Sequence, residues 1–316
     1  MKRICLFLVL AGVLVTPARA CDLCSVYSSE RMYGEIGTGI YTGIAEQFTC
    51  FGTLQDSGAK VANPAGQYLN SSVLQIFAGY TFSERLGVQF TLPVIHRSFR
   101  RPDGLAIERG TESGIGDVSF VGHSQVIHRA EKECTFIWNL LGGVKFPTGN
   151  SDRIAEEFNE TEMEGARESG VHGHDLALGT GSYDGIVGTA IYARWKRWFL
   201  RAGTQYAIRS TGDFDYRYAN DLTWSGGPGY YFLMTERHSL ALQLVVAGET
   251  KGGDTFQGIT ATDTGITSVF LSPLLNYTWS DKFNAEVGVD LPVSIDNTAL
   301  QIVPDYRVRA AVIWHF

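Results

Sequence analysis

The stretch ARWKRWFLRAG, Ala193 to Gly203, sets Lys196 and Arg197 between Trp195 and Trp198 and then alternates large with small side chains. Tryptophan beside arginine suits a nucleic-acid surface, a protein-binding hot spot or a boundary between lipid and water. The rest of the chain separates these settings. It opens with Lys2 and Arg3, continues through the apolar run ICLFLVLAGVLV and reaches small residues at Ala18 to Ala20, the order expected of a signal peptide over residues 1–20. Without Lys2, Arg3 and Arg19, the 26 basic residues fall to 23 against 33 acidic ones, a net charge of −10. An exported, acidic chain is poorly equipped to neutralise phosphates, so no nucleic-acid partner is expected. No later run of about 18 apolar residues offers a helical membrane span.

Cleavage after Ala20 leaves CDLC, Cys21 to Cys24, heading a periplasmic segment over residues 21–33. Ala18 and Arg19 fit a lipid-modified cysteine poorly. Cys21 and Cys24 could form a disulfide or hold a soft metal, though a structural or incidental role is the plainer reading. The remaining Cys50 and Cys134 are too scattered to extend the pair into a metal site.

From Gly34 to Phe316 the hydrophobic period is two. In SVLQIFAGYTF, Leu74, Ile76, Ala78, Tyr80 and Phe82 share one face, and Gln75, Gly79 and Thr81 the other. GVQFTLPVI sets Val88, Phe90, Leu92 and Val94 against Gln89 and Thr91. The last run sets Tyr306, Val308, Ala310, Val312, Trp314 and Phe316 against Arg307, Arg309 and His315. Glutamate, aspartate and arginine recur in mid-strand, where a sandwich core needs apolar side chains. One face is therefore expected to be wet and the other to meet lipid. Such strands satisfy their backbone groups only by closing on themselves. The expected fold is an all-β, transmembrane antiparallel barrel of about 12 strands over residues 34–316.

Connections alternate between short turns, such as Lys196–Arg197, and long polar segments near 53–68, 96–115, 150–175, 210–220, 250–265 and 294–302. Large aromatics gather at the short-turn ends: Phe82, Phe136, Trp138, Trp195, Trp198, Phe232, Trp279, Phe283, Trp314 and Phe316. Such rings favour the headgroup level, which makes WKRW a periplasmic hairpin and the long loops extracellular.

The segments GIGDVSF (Gly114 to Phe120), GVKFPTGN (Gly143 to Asn150), LGTGSYDGIVG (Leu178 to Gly188) and GETKGG (Gly248 to Gly253), with the terminal WHF, resemble a family of outer-membrane transporters associated with the meta-pathway of phenol degradation. The resemblance covers about Gly114 to Phe316. It implies an outer-membrane channel for small molecules, including aromatic or poorly water-soluble compounds. The terminal Phe316 matches the signal read by the barrel assembly machinery.

Enzymatic chemistry is not expected: His123 and Ser124 are adjacent and point to opposite faces of a strand, as are His238 and Ser239. No cofactor is implied. Counting outward from the short turns places Asp184 opposite Arg209 and Asp117 near Lys145, and across the last hairpin a periplasmic closure of the barrel brings Asp290 near Arg309 or Arg307. These pairs, read as lying near the outer mouth, are candidates either for a charged constriction or for inter-strand wall pairs. In the acidic loop from Asn150 to Asp175, which includes Glu160, Glu162 and Glu164, the HGHD segment offers His172, His174 and Asp175 as candidate metal ligands, with a solvated loop as the alternative. RSFRRP, Arg97 to Pro102, is read as facing lipopolysaccharide phosphates. The expected function is an outer-membrane channel, with outer-membrane lipid, lipopolysaccharide and a small-molecule solute as partners. A barrel serving adhesion or envelope structure is the alternative.

Overall fold

The computed structural model describes residues 38–83, 85–158 and 167–316. The proposed signal peptide, Cys21 and Cys24, and Glu160, Glu162 and Glu164 lie outside the described residues. Twelve long strands form the wall: β1 Gly39–Asp56, β2 Tyr68–Ser83, β3 Leu86–Asp103, β4 Ser119–Ala130, β5 Cys134–Lys145, β6 Asp184–Trp195, β7 Trp198–Ile208, β8 Asp221–Met234, β9 His238–Lys251, β10 Ile266–Trp279, β11 Phe283–Asn297 and β12 Leu300–His315. Each pairs antiparallel with its sequence neighbours, and β12 pairs back onto β1 from Tyr41↔His315 to Asp56↔Leu300. Closure leaves the ring without a free edge, as a span through hydrocarbon requires.

The outward positions form a continuous exposed apolar band that includes Ile76, Phe90, Leu140, Leu200, Leu244, Val287 and Val312. No soluble protein leaves a band of that extent in water. Trp195, Trp198, Phe232, Trp279 and Trp314 are exposed beneath it at the short-turn end, and Trp198 meets Tyr230 edge-on at 4.9 Å. The WKRW turn is a two-residue hairpin in which Trp195 pairs with Trp198, and Lys196 takes φ 55° to close it.

The inward face departs from the uniformly wet wall expected from the sequence. Near the short turns it carries Tyr41, Phe77 and Ile313 on one side and Ile137, Tyr192, Phe199 and Tyr231 on the other. Three of these rings lie directly across the ladder from a glycine: Tyr41 on Gly79, Phe77 on Gly43 and Phe199 on Gly229. A Cβ on those glycines would fall 2.1–2.5 Å from the ring, so the missing side chain lets the ring lie against the wall.

Two long connections are not what the sequence suggested. The segment near 294–302 is a tight turn, because β11 runs to Asn297 and β12 starts at Leu300. The segment near 96–115 is a strand continuation through Asp103 followed by a hairpin strand, Ala106–Ile115, paired to β3. In both, polar residues mark strand that rises beyond the lipid band rather than irregular loop. A small sheet of residues 216–217, 255–256 and 259–260 also sits at the long-loop end.

Candidate functional site

The described stretches of the connection between β5 and β6, residues 146–158 and 167–183, fold inward across the mouth of the barrel. Ile154, Val171, Leu176 and Ala177 are fully buried, and Val171 and Leu176 pack with Leu69, Phe99 and Ile302 of the wall. Ile302 N–H donates to the Gly170 carbonyl at 2.8 Å, and Arg97 Nη1 donates to the carbonyls of Asp175 and Ala177. The mouth is therefore occupied by the chain's own backbone.

At the base of this insert the glycine-rich segments converge on Asp117. Its carboxylate accepts from the backbone of Gly149 at 3.0 Å and of Thr180 at 2.8 Å, from the Thr180 hydroxyl at 2.8 Å and from Lys145 Nζ at 3.0 Å. Gly149 and Gly179 let the two ends of the loop cross there: a Cβ on Gly179 would sit 2.6 Å from both the Gly149 carbonyl and Asp117. Lys145 also pairs with Asp184 at 2.9 Å, Asp184 with Arg209 at 2.6 Å, and Arg209 with Asp221 at 2.7 Å. All five side chains are buried and come from consecutive stretches of wall. The two hairpin pairings read from the sequence are present. Asp221 and Thr180 escaped that reading, since hairpin counting sees only one turn at a time.

A second cluster lies lower, at mid-strand on β11 and β12 and reaching Glu249 near the long-loop end of β9. Asp290 pairs with Arg309 at 2.7 Å and approaches Arg307 at 3.8 Å, while Arg307 binds Glu249 and stacks on Phe270 at 4.7 Å. Glu249 is on β9 and Arg307 on β12, so this contact joins strands that are not neighbours, and hairpin counting missed it. Beside it a cavity is lined by Arg309, Glu286, Gln243, Gln205 and Arg201.

His172 and His174 are buried with their rings stacked at 5.6 Å rather than converging. His174 Nδ1 meets Glu157 at 2.9 Å and its Nε2 lies 3.4 Å from Asp175. Among the described residues no three metal-ligating side chains converge, so the HGHD segment forms an ion-paired anchor here. Burial alone would lower the His174 pKa, but the carboxylates of Asp175 and Glu157 outweigh it and raise it to about 10. Burial would raise Glu157, yet the His174 charge brings it down to about 2. The acidic loop is thus only partly solvated, since Glu157 is spent on His174 and Glu156 on Arg101 and Arg153. Arg97 and Arg101 of RSFRRP, expected to face lipopolysaccharide, point inward and hold this insert, because β3 continues its alternation through them.

No family model matches the chain, and no curated protein matches its sequence. Among solved structures the fold is similar to an outer membrane channel from Pseudomonas putida F1, with a TM-score of 0.64 and 16% identity over 92% of this chain and 100% of that one. Looser likenesses are the translocator domain of the autotransporter NalP from Neisseria meningitidis (TM-score 0.43, 12% identity, 91% of this chain and 92% of that one) and the CymD monoaromatic hydrocarbon channel (0.39, 9%, 92% and 93%). Closure, the apolar band and the polar interior define the class: the protein is an outer-membrane β-barrel, and the cell outer membrane is its place.

Proposed function

We propose that the chain is a channel for small molecules, entered from the long-loop end past the inserted segment and left through the aromatic-lined short-turn end. The observation that carries this reading is the mid-lumen cavity lined by Arg309, Glu286 and Gln243, with Arg309 tying it to Asp290 and so to Arg307 and Glu249, which line a second cavity nearer the insert. In this reading that cluster is the charged constriction. The Asp117–Lys145–Asp184–Arg209 network is instead the clamp that fixes the insert. The short-turn end faces the periplasm, lipopolysaccharide surrounds the upper wall, and the barrel assembly machinery reads Phe316. Aromatic solutes, and the association with phenol breakdown, are supported by the resemblance of the Asp117, Gly149 and Thr180 segments and by the rings of Tyr41, Phe77, Tyr192 and Phe199 along the exit. The adhesion reading loses weight because Glu156 and Glu157, two of its acidic groups, are turned to ion pairs within the insert.

Conductance in a planar bilayer tests the channel. The full chain is expected to give small, intermittent openings, and a variant with residues 152–176 replaced by a short glycine-serine link to give larger, steady ones. Two barrels that fold, shift on heating in gels and pass no current would overturn the reading.

A further inference from the structure

Between the lipid band and the tip of the hairpin, the outer wall of β2, β3 and the strand Ala106–Ile115 changes character in a fixed order. Leu74, Val94 and Ile115 form the cross-strand row that closes the apolar band, with Val94 and Ile115 exposed. Above it come Ser72, His96 and Ser113, then Asn70, Ser98 and Thr111, and then Tyr68, Arg100 and Arg109. Hydroxyls and amides thus stand over hydrocarbon, and cations stand over them.

The hairpin sorts its charges by face. The carboxylates of its second strand, Glu108 and Glu112, point inward, where Arg101 and Arg153 take them. Outward it carries Arg100 and Arg109, directly opposite each other in the ladder, and among the described residues neither forms an ion pair. Glu46, outward on the adjoining β1, stands level with Leu74, three rows below the arginines, and takes the Ser72 hydroxyl at 2.6 Å. Arg100 is half-buried with its Nε enclosed, whereas Arg109 is exposed. Arg109 therefore offers the open guanidinium fork, and Arg100 adds charge behind it. Like charges directly opposite one another in a ladder repel, so an anion lying over both relieves the pair.

Height decides what that anion belongs to. Val94 and Arg100 are six positions apart on one strand, about 20 Å along it and about 15 Å in height at the usual barrel tilt. A phospholipid headgroup layer is only about 5–8 Å deep. The arginines clear the phosphates of such a lipid and reach the level of the sugars on a taller one.

We propose that this face binds lipopolysaccharide, with Arg109 and Arg100 holding an acidic group of its inner-core sugars. The acyl chains lie on Val94 and Ile115, and the sugars beneath the core meet Ser98, Thr111 and Asn70. The assignment is independent of conduction and rests on the reading above only for the long-loop end facing outward.

Native mass spectrometry of the purified full chain in detergent tests it, with two probes: rough lipopolysaccharide carrying its acidic inner core, and lipid A without that core. The first is expected to bind at least about tenfold more tightly. Arg109→Gln and Arg100→Gln should each weaken it about three- to tenfold, the contribution of one basic residue at an anionic membrane surface, and leave lipid A unchanged. The double variant should bind both probes alike; if Arg100→Gln does not shift on heating in gels as a folded barrel does, Arg109→Gln carries the test alone. Lipid A bound as tightly as rough lipopolysaccharide, or rough lipopolysaccharide held equally by the folded variants, overturns the proposal. A tag between Gly104 and Leu105 that antibody cannot reach on intact cells overturns the orientation and this site with it. Core-dependent binding by a barrel that passes no current removes the channel reading and leaves the site standing.

Discussion

The barrel holds two buried charge clusters that differ in what they join. The upper one, Asp117, Lys145, Asp184, Arg209 and Asp221, links wall segments that are neighbours in sequence and ties both ends of the insert to them. The lower one, Glu249, Asp290, Arg307 and Arg309, includes a contact between strands three places apart and borders the mid-lumen cavity. In the upper cluster no charged side chain is more than 7% exposed. In the lower one Arg309 keeps a side-chain exposure of 17%. Similar residue types thus serve as a rivet in one place and, on the proposed reading, as a filter in the other.

The largest effect is expected at the rivet. Asp117→Ala removes an acceptor of four hydrogen bonds, and Arg209→Ala takes the cation from the buried Asp221 and leaves Asp184 with Lys145 alone. Each should cost about 3–5 kcal/mol, the usual penalty for breaking a buried pair. Unfolding in urea followed by gel shift measures it. Arg209→Ala should leave the reversal potential of any barrel that still folds unchanged; a shift there would make the upper cluster a filter too.

Slightly smaller is the effect of placing charge one residue from Asp290 on the opposite face. Val289→Arg sets arginine against lipid near mid-height, at about 2–4 kcal/mol and with impaired assembly. Val289→Thr should assemble normally, and equal yields of the two variants would break the assignment of faces at this height. Gly288 is not a neutral control for it, because an added Cβ would sit 2.7 Å from Leu274 Cδ1.

The insert has its own ion-paired anchor, His174 with Glu157, and that anchor can be tested by pH. His174 has its pKa raised to about 10, so its stabilising contribution is complete below the ordinary histidine value and is lost as pH rises through about 10. Glu157 is depressed to about 2, so its contribution is complete above the ordinary glutamate value and is lost as pH falls through about 2. Limited proteolysis of the insert should therefore be slowest between the ordinary glutamate and histidine values and accelerate progressively towards pH 10 on one side and pH 2 on the other. A rate that stays flat from neutral pH to pH 10 would show that the insert is not held by this pair. His174→Gln should remove the alkaline step.

The smallest change in stability belongs to Arg309→Gln, about 1–3 kcal/mol, because the buried Asp290 loses a charge-assisted hydrogen bond but keeps Arg307 at 3.8 Å. Its signature is electrical: loss of a positive charge beside the cavity should move the reversal potential towards cation preference. An unmoved potential in an open barrel would make the lower cluster another wall pair.

Much of this arrangement is legible in the chain. Period-two alternation determined the strands, their lipid face and closure, since a strand bordered by lipid has no other way to satisfy its backbone. The hairpin turns then set the register that places Asp184 beside Arg209 and Asp290 opposite Arg307, one diagonal step from Arg309, because an antiparallel ladder conserves the sum of paired residue numbers. Tertiary structure alone decided which way the 146–183 connection folds, that Arg97 and Arg101 grip it from inside, and that Arg307 reaches Glu249. Those contacts join residues far apart along the chain or around the ring, where no local period records distance. Arg97 shows the limit most plainly: alternation puts it on the inner face, but only packing of the insert over it turns its guanidinium into a buried grip on the Asp175 and Ala177 carbonyls.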